Sequence, residues 1–329
     1  MQKAYKLLMA ATVVSMTVGF NHAVAAKKDT YQVVSTSYQQ PITTFETYVG
    51  NKKIETVRYA FGNAQYINDG LMYGSETNRV VDLKNSKQTV KRLTPAPGQI
   101  RKYKDAYYVM SLEDVDHSSL TKYTLDFKKI GQSFFISGYG RHLILMGDKV
   151  YVLADHMKGY NYSIKLHTFD TKSFAALHHE TITSMLFTYH MRQAGSQLKI
   201  YGIRSEKDEK MTVLSYDVEK QRHTKTMTTD QHVKGGLEKT QTLSKETELI
   251  FNRDRMYEIN HRTKQVRVLY DSKDDLVDYA YDAKTKTYHV LEENTKTAEF
   301  RVKTLNSHFK PIAEYRLKKS DSVSPFRVL

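Results

Sequence analysis

Apolar residues along this chain come in short runs rich in Tyr, Val, Ile, Thr and Phe, such as "YQVVSTS", "AYYVMS", "HLILMG", "KVYVLAD" and "QVRVLY". Each run is bounded by Asp, Asn, Gly, Lys or Ser, the signature of strands punctuated by turns. Sustained helical periodicity is missing after the first residues, so the pattern predicts an all-β protein. A longer period lies over the short one. A strand ending in Asp or Asn, a charged turn and a second strand recur, as in "KYTLDFKKIGQSFFI", "LHTFDTKSFAALHH" and "MYEINHRTKQVRVL". The marker residues Asp82, Asp126, Asp170, Asp217, Asn260 and Asn306 are separated by 44, 44, 47, 43 and 46 residues. One period holds four strands, seen most clearly in "RHLILMG", "DKVYVLAD", "YSIKLHTFD" and "SFAALHHET".

A four-stranded repeat of about 43–47 residues resembles a blade of the β-propeller superfamily. The resemblance covers nearly all of the chain after its first residues and is broad. Tryptophan is absent, so neither the WD dipeptide nor the quinoprotein docking pattern is present, and the kelch double glycine is missing. The resemblance implies a disc in which strands A to D of each blade run from channel to rim. Six complete units are expected from about residue 53 to residue 317. The front segment "KKDTYQVVSTSYQQPITTFETYV" is expected to add two strands and the tail "DSVSPFRVL" one, closing an incomplete seventh blade. Six blades with the end segments packed outside the ring is the alternative. The markers fall between strands C and D and read as turn aspartates, whose oxygens accept from nearby backbone N–H groups. The B–C and D–A connections lie on the opposite face and read as longer loops. In propellers of this kind ligands meet that face or the channel mouth.

The start of the chain changes the cellular picture. Lys3 and Lys6 precede the apolar run "LLMAATVVSMTVGF" at 7–20 and the small-residue segment "NHAVAA". This reads as a secretory leader, 1–26, cleaved after Ala26, with 27–329 as one propeller domain. The run is short for a membrane span, and no later segment reads as one. There is no cysteine, which removes disulfides, iron–sulfur ligation, thiol catalysis and cysteine-linked lipid. Lys and Arg number 50 against 36 Asp and Glu, a net charge of +14 spread without polybasic blocks. Outside a bacterial cell such a charge favours an anionic cell-wall polymer, a phospholipid surface or another envelope protein over nucleic acid. No cofactor is implied, and a monomer is expected.

Candidate chemistry is sparse. "KLHTFDTKSFAALHHE" at 165–180 gathers His167, Asp170, His178, His179 and Glu180. His178 and His179 are adjacent on a strand and point to opposite faces, so they cannot easily share an ion; no metal site is expected. Asp114 and Asp116 in "SLEDVDHSS" have the alternate spacing of a calcium loop without its glycine or distal glutamate. The candidate ligand-binding residues are Tyr139 and Arg141 in "SGYGRH", His156 and Tyr160 in "ADHMKGYNY", and His190 and Arg192 in "FTYHMR". Arg141, His142, His190 and Arg192 together would line the channel with positive charge, with one of each close pair facing it. No nucleophile elbow or HExxH motif is present. Three readings stay open: an exported non-catalytic binding propeller, a hydrolase or lyase acting on a glycan or lactone at the channel mouth, and a protein-interaction scaffold.

Overall fold

In a computed structural model the described residues are 30–36, 42–50, 52–60, 62, 64–68, 71–74, 78–82, 91–93, 95–158, 161–182, 185, 187–205, 208–233, 237–317 and 323–328. The expected leader lies outside them. Among the described residues, twenty-eight strands form seven four-stranded antiparallel sheets. Blade 1 contains β1 (Thr30–Thr36), β2 (Thr43–Val49) and β3 (Lys52–Tyr59). Blade 2 contains β4 (Ala64–Asn68), β5 (Leu71–Gly74), β6 (Arg79–Asp82) and β7 (Lys91–Arg92). Blade 3 contains β8 (Pro97–Tyr103), β9 (Ala106–Leu112), β10 (His117–Thr124) and β11 (Lys129–Ser137). Blade 4 contains β12 (Tyr139–Met146), β13 (Lys149–Lys158), β14 (Asn161–Asp170) and β15 (Ala176–Ile182). Blade 5 contains β16 (Phe187–Ala194), β17 (Gln197–Ser205), β18 (Asp208–Asp217) and β19 (Arg222–His232). Blade 6 contains β20 (Lys239–Thr242), β21 (Thr247–Phe251), β22 (Arg255–Asn260) and β23 (Val266–Asp271). Blade 7 contains β24 (Asp275–Asp282), β25 (Thr287–Asn294), β26 (Glu299–Leu305) and β27 (Pro311–Arg316). The last strand, β28 (Val323–Val328), returns to pair with β1 and completes blade 1 in the order β28-β1-β2-β3.

Seven blades is therefore the architecture, and the closing blade is complete rather than short of a strand. The front of the chain supplies three strands, because "KKIETVRY" turns back at Gly50 onto β2 instead of opening the next unit. Inner strands β24, β28, β4, β8, β12 and β16 follow one another around the axis. Seven hydrophobic clusters fill the seams between neighbouring blades, one cluster to each seam. Strand alternation explains how one blade feeds two seams. On β13, Tyr151 and Leu153 pack toward blade 5, while Val150, Val152 and Ala154 pack toward blade 3. With both faces buried, a B strand reads as a continuous apolar run rather than an alternating one. The rim strands β11, β15 and β27 are mostly exposed.

The marker residues do sit in the C–D turns. Oδ1 of Asp170 accepts from the N–H groups of Lys172 at 2.9 Å and Ser173 at 2.6 Å. Asp217 accepts from Glu219 and Lys220, and Asn260 from Arg262 and Thr263. Asn306 accepts from His308 and Lys310. Asp126 departs from the pattern: Thr124 Oγ1 takes the N–H of Lys128 at 3.0 Å, and Asp126 pairs with Lys128. The turn after Asp82 lies outside the described residues. Few glycines are needed because other residues take the left-handed position, namely Phe127, Phe174, Gln221, Lys264 and Phe309, with φ between 51° and 63°. That conformation costs about 1–2 kcal/mol for a residue with a Cβ. Ring stacking offsets part of it, by about 0.5–1.5 kcal/mol per aromatic pair. Phe127 stacks on Tyr107 at 4.4 Å and Phe309 on Tyr288 at 4.6 Å.

The connections on the other face are shorter than expected. "ADHMKGYNY" is mostly strand, since β13 continues to Lys158 and β14 begins at Asn161. "SLEDVDHSS" is a tight turn between β9 and β10, where Asp114 Oδ1 accepts from the Asp116 N–H at 2.7 Å and meets His117 Nδ1 at 2.9 Å.

Close approach of blade 5 strands rests on glycine. A Cβ on Gly202 would lie 2.1 Å from the Phe187 carbonyl oxygen and 3.0 Å from Met185 Sδ. Gly195 in the adjacent A–B turn has φ of +60° and nothing within 4 Å of its Cβ position. Urea denaturation is expected to show Gly202→Ala losing about 3 kcal/mol through overpacking, against about 1 kcal/mol for Gly195→Ala from backbone strain alone. Equal losses would contradict this packing.

Candidate functional site in the central channel

The innermost strands bring polar side chains from five consecutive blades to one rung of the ring. Gln99, His142, His190, Lys239 and Asp278 lie opposite Met110, Leu153, Tyr201, Phe251 and Leu291 at equivalent steps. In four of these strands a register shift immediately precedes the rung residue, at Gly98, Arg141, Tyr189 and Val277. A bulge breaks strict alternation and re-aims side chains. Gln99 uses the backbone groups on either side of His142, just after the bulge in β12. Its Nε2 donates to the Arg141 carbonyl at 2.6 Å, and its Oε1 accepts from the Leu143 N–H at 2.9 Å.

Beyond this seam, the rings of His142 and His190 lie 5.7 Å apart. His190 is pushed down to about 3, first by burial and then by the charges of His142, Arg192 and Arg101, with Glu248 opposing. It is neutral at pH 7. Arg101, one step nearer the A–B turn on β8, is solvent-exposed yet closely surrounded, and desolvation lowers its pKa. Its guanidinium bonds only the carbonyl of Ile100, and it has no carboxylate partner among the described residues.

The other cations of the channel are already engaged. Arg192 donates to Tyr201 Oη at 2.9 Å and pairs with Glu248. Glu248 is buried, and also holds Tyr201, Lys199 at 2.9 Å and His261 at 3.0 Å. Burial would raise its pKa, but bonds from His261, Lys199 and Tyr201 outweigh it and hold the carboxyl at about 2. Lys239 pairs with buried Asp278 and lies over the Tyr279 ring. A second buried carboxylate, Glu292, accepts from Tyr270 at 2.6 Å and Ser272 at 2.8 Å and pairs with Lys303 at 2.8 Å. It forms part of a polar cluster at the seam of blades 6 and 7, where Arg301 reaches Asp274 at 2.6 Å.

The sequence-derived candidates divide accordingly. His190 reaches the channel. Arg192 enters it but is spent on Glu248. Arg141 is the bulge residue; it lies over the Tyr139 ring at 4.8 Å and its Nε donates to buried Asp155 at 2.5 Å. His156 meets Ser137 Oγ at 3.3 Å and packs beside His167, away from the His142–His190 pair. Tyr160 lies outside the described residues. The expected four-residue positive lining is thus His142 and His190 together, with Arg141 and Arg192 neutralised by carboxylates. His167 and His179 do share a face, 6.1 Å apart, and burial with neighbouring His156 and His179 pushes His167 down to about 4. Among the described residues no group of three or more His, Asp or Glu side chains is placed to hold a metal ion. Arg101, Gln99, Lys239, Asp278 and Glu248 were missed by pattern reading. Arg101 had a usable signal, because it occupies the same repeat position as Arg192.

No protein-family model matches the sequence, and no curated protein sequence matches it. Solved structures do resemble it. A point mutant of Synechocystis ACO, an apocarotenoid oxygenase, is 6% identical with a TM-score of 0.60 over 92% of each chain. Apo AztD from Citrobacter koseri is 9% identical with a TM-score of 0.55, covering 92% of this chain and 98% of that one. Dihydro-heme d1 dehydrogenase NirN, in complex with DHE, is 11% identical with a TM-score of 0.58, covering 91% and 75%. At these identities the likeness is one of fold: the chain is a seven-bladed β-propeller.

The buried titratable groups set an acid limit. His190 and His167 have folded pKa values below the unfolded value of about 6.5, so the unfolded chain takes up their protons first as pH falls. Stability is expected to decline below about pH 6.5, with Glu248 adding a further loss between about 4.3 and 2. Calorimetry should show Tm falling from pH 6.5 to 4.5, with a shallower slope in His190→Gln. An unchanged slope in that variant would contradict the buried neutral assignment.

Proposed function

We propose that the protein is exported, with residues 1–26 as its leader, and acts in or near the bacterial cell envelope as a non-catalytic binding propeller. Its ligand is anionic and is received in the channel. Arg101 supports this reading most directly. It is a guanidinium without a described carboxylate partner, beside the His142–His190 pair, while Arg192 and Lys239 of the neighbouring inner strands are held by carboxylates. A guanidinium that is open to solvent and unmatched favours an incoming carboxylate or phosphate, which it can hold through two parallel bonds. Gln99 ties the strand of Arg101 to β12, and the Glu248 cluster ties blades 5 and 6 further round the ring, so the cation is presented on a rigid frame.

A hydrolase or lyase reading has less support. Such chemistry needs two groups whose pKa values are pushed apart with one free to act on substrate. The buried carboxylates Asp155, Glu248, Asp278 and Glu292 are each held by a cation. The scaffold reading would rest on exposed apolar side chains such as Val115, Phe135 and Ile312, and nothing among the described residues favours it over binding in the channel.

Titration calorimetry with tripolyphosphate at low salt tests the proposal, with neutral dextran as control. Arg101→Gln is expected to weaken tripolyphosphate binding about tenfold, while dextran releases no heat. Binding undiminished by this substitution would overturn the channel assignment.

A further inference from the structure

The face built by the A–B and C–D turns carries cavities at two equivalent seams, and the two differ in charge. Between blades 4 and 5 a cavity of about 320 Å³ is bordered by Asp148, Asp170 and Glu219, with Lys149 beside them. Between blades 6 and 7 the corresponding cavity is about 480 Å³. Its apolar lining comes from Leu243, Leu269, Tyr288 and Phe309, with Val268 as a wall that is 46% exposed. Glu258 lines it as well, paired with Arg267 at 3.1 Å, and His308 stands at its edge.

The lysines of the surrounding turns are unmatched. Lys245 lies in the turn between Leu243 and Thr247, Lys264 in the turn leading to Arg267, Lys286 beside Thr287, and Lys310 next to Phe309. All four are exposed and have no carboxylate partner among the described residues. Of the acids nearby, Asp230 stands beside Lys264, its N–H donating to the Lys264 carbonyl at 3.0 Å, and the others are committed. Glu246 pairs with Arg262 at 3.2 Å, and Asp282 caps its own turn through the Lys284 N–H at 2.8 Å. The marker residues follow the same division. Blades 3, 4 and 5 carry Asp126, Asp170 and Asp217, whereas the two blades around this cavity carry Asn260 and Asn306. Both side chains make the turn bonds equally well, at 2.9 Å to Arg262 and to His308 for the asparagines. The exchange therefore leaves the turn intact and removes two negative charges from the cavity's surroundings.

We infer that the seam between blades 6 and 7 binds a single amphiphilic anion. Its chain or ring lies on Leu243, Leu269, Tyr288 and Phe309, and its acidic head turns outward to the lysines of the bordering turns, Lys245, Lys264, Lys286 and Lys310, none of which lines the cavity itself. Apolar contact and charge are both required, as in pockets where a few polar groups orient a largely apolar ligand. Free phosphate lacks the first element, and a neutral detergent lacks the second. This site is separate from the channel and does not depend on it.

Calorimetry with dodecyl phosphate and dodecanoate, each below its micelle concentration, tests the inference. Both are expected to bind one to one, with dodecyl maltoside and inorganic phosphate at least about tenfold weaker. Val268→Asp, and separately the pair Lys264→Gln with Lys310→Gln, should each weaken dodecyl phosphate about tenfold. These positions are exposed, so thermal melting of both variants should match the parent protein. Arg101→Gln should bind dodecyl phosphate unchanged. Equal binding of the neutral detergent, retention in both seam variants, or loss only in Arg101→Gln would overturn the site.

Discussion

Antiparallel pairing of β28 with β1, Tyr31 opposite Val328 and Val33 opposite Phe326, is the constraint on which the rest of the molecule depends. A ring of sheets has no free seam only when its last strand returns to its first sheet. Here the tail supplies the inner strand and the front of the chain supplies the other three, so closing the blade also closes the seams on either side. Tyr31 ties the same blade down again by donating to the Gly50 carbonyl at 2.6 Å. Channel geometry follows from closure. Rungs such as His142–His190 and Lys239–Asp278 link neighbouring inner strands, and their spacing is set by the circumference of the ring.

Charge in this protein is organised by burial. The deepest carboxylates, Glu248 and Glu292, each gather a tyrosine hydroxyl and a lysine, and the cost of desolvating them is met by several partners at once. Such clusters fix strand positions rather than offer free groups to a ligand. Among the described residues, Arg101 in the channel and the lysines of the turns beside the seam of blades 6 and 7 are cations that no carboxylate holds. The first suits an anion alone and the second an anion joined to an apolar body, so the two places ask for different ligands.

The fold was legible because its signals are local and repeated. Aspartate or asparagine markers recur in six of the seven units, and B strands such as "AYYVMS" and "KVYVLAD" are apolar on both faces because each blade packs on two neighbours. Blade number was legible for the same reason, while the boundary of the closing blade was not. "TVRYAF" resembles the opening of a unit, and only pairing across the Gly50 turn reveals it as the rim strand of blade 1. Site residues were harder to read. Bulges at Arg141 and Tyr189 defeat simple alternation, so Arg141 turns to Asp155 while His142 meets His190. Partners such as Glu248 lie on the next blade, more than fifty positions from Arg192, and no periodicity joins them. The histidine-rich segment at 165–180 proved to be a strand, turn and strand of blade 4, its acid committed to the turn.

Native-state amide hydrogen exchange of the closing blade tests closure most directly. If the β28–β1 pairing holds the ring, amides of β1 and β28 exchange only with global unfolding, at the same free energy as those of β17. Fast exchange of β28 by local opening, with β17 still protected, would contradict that account.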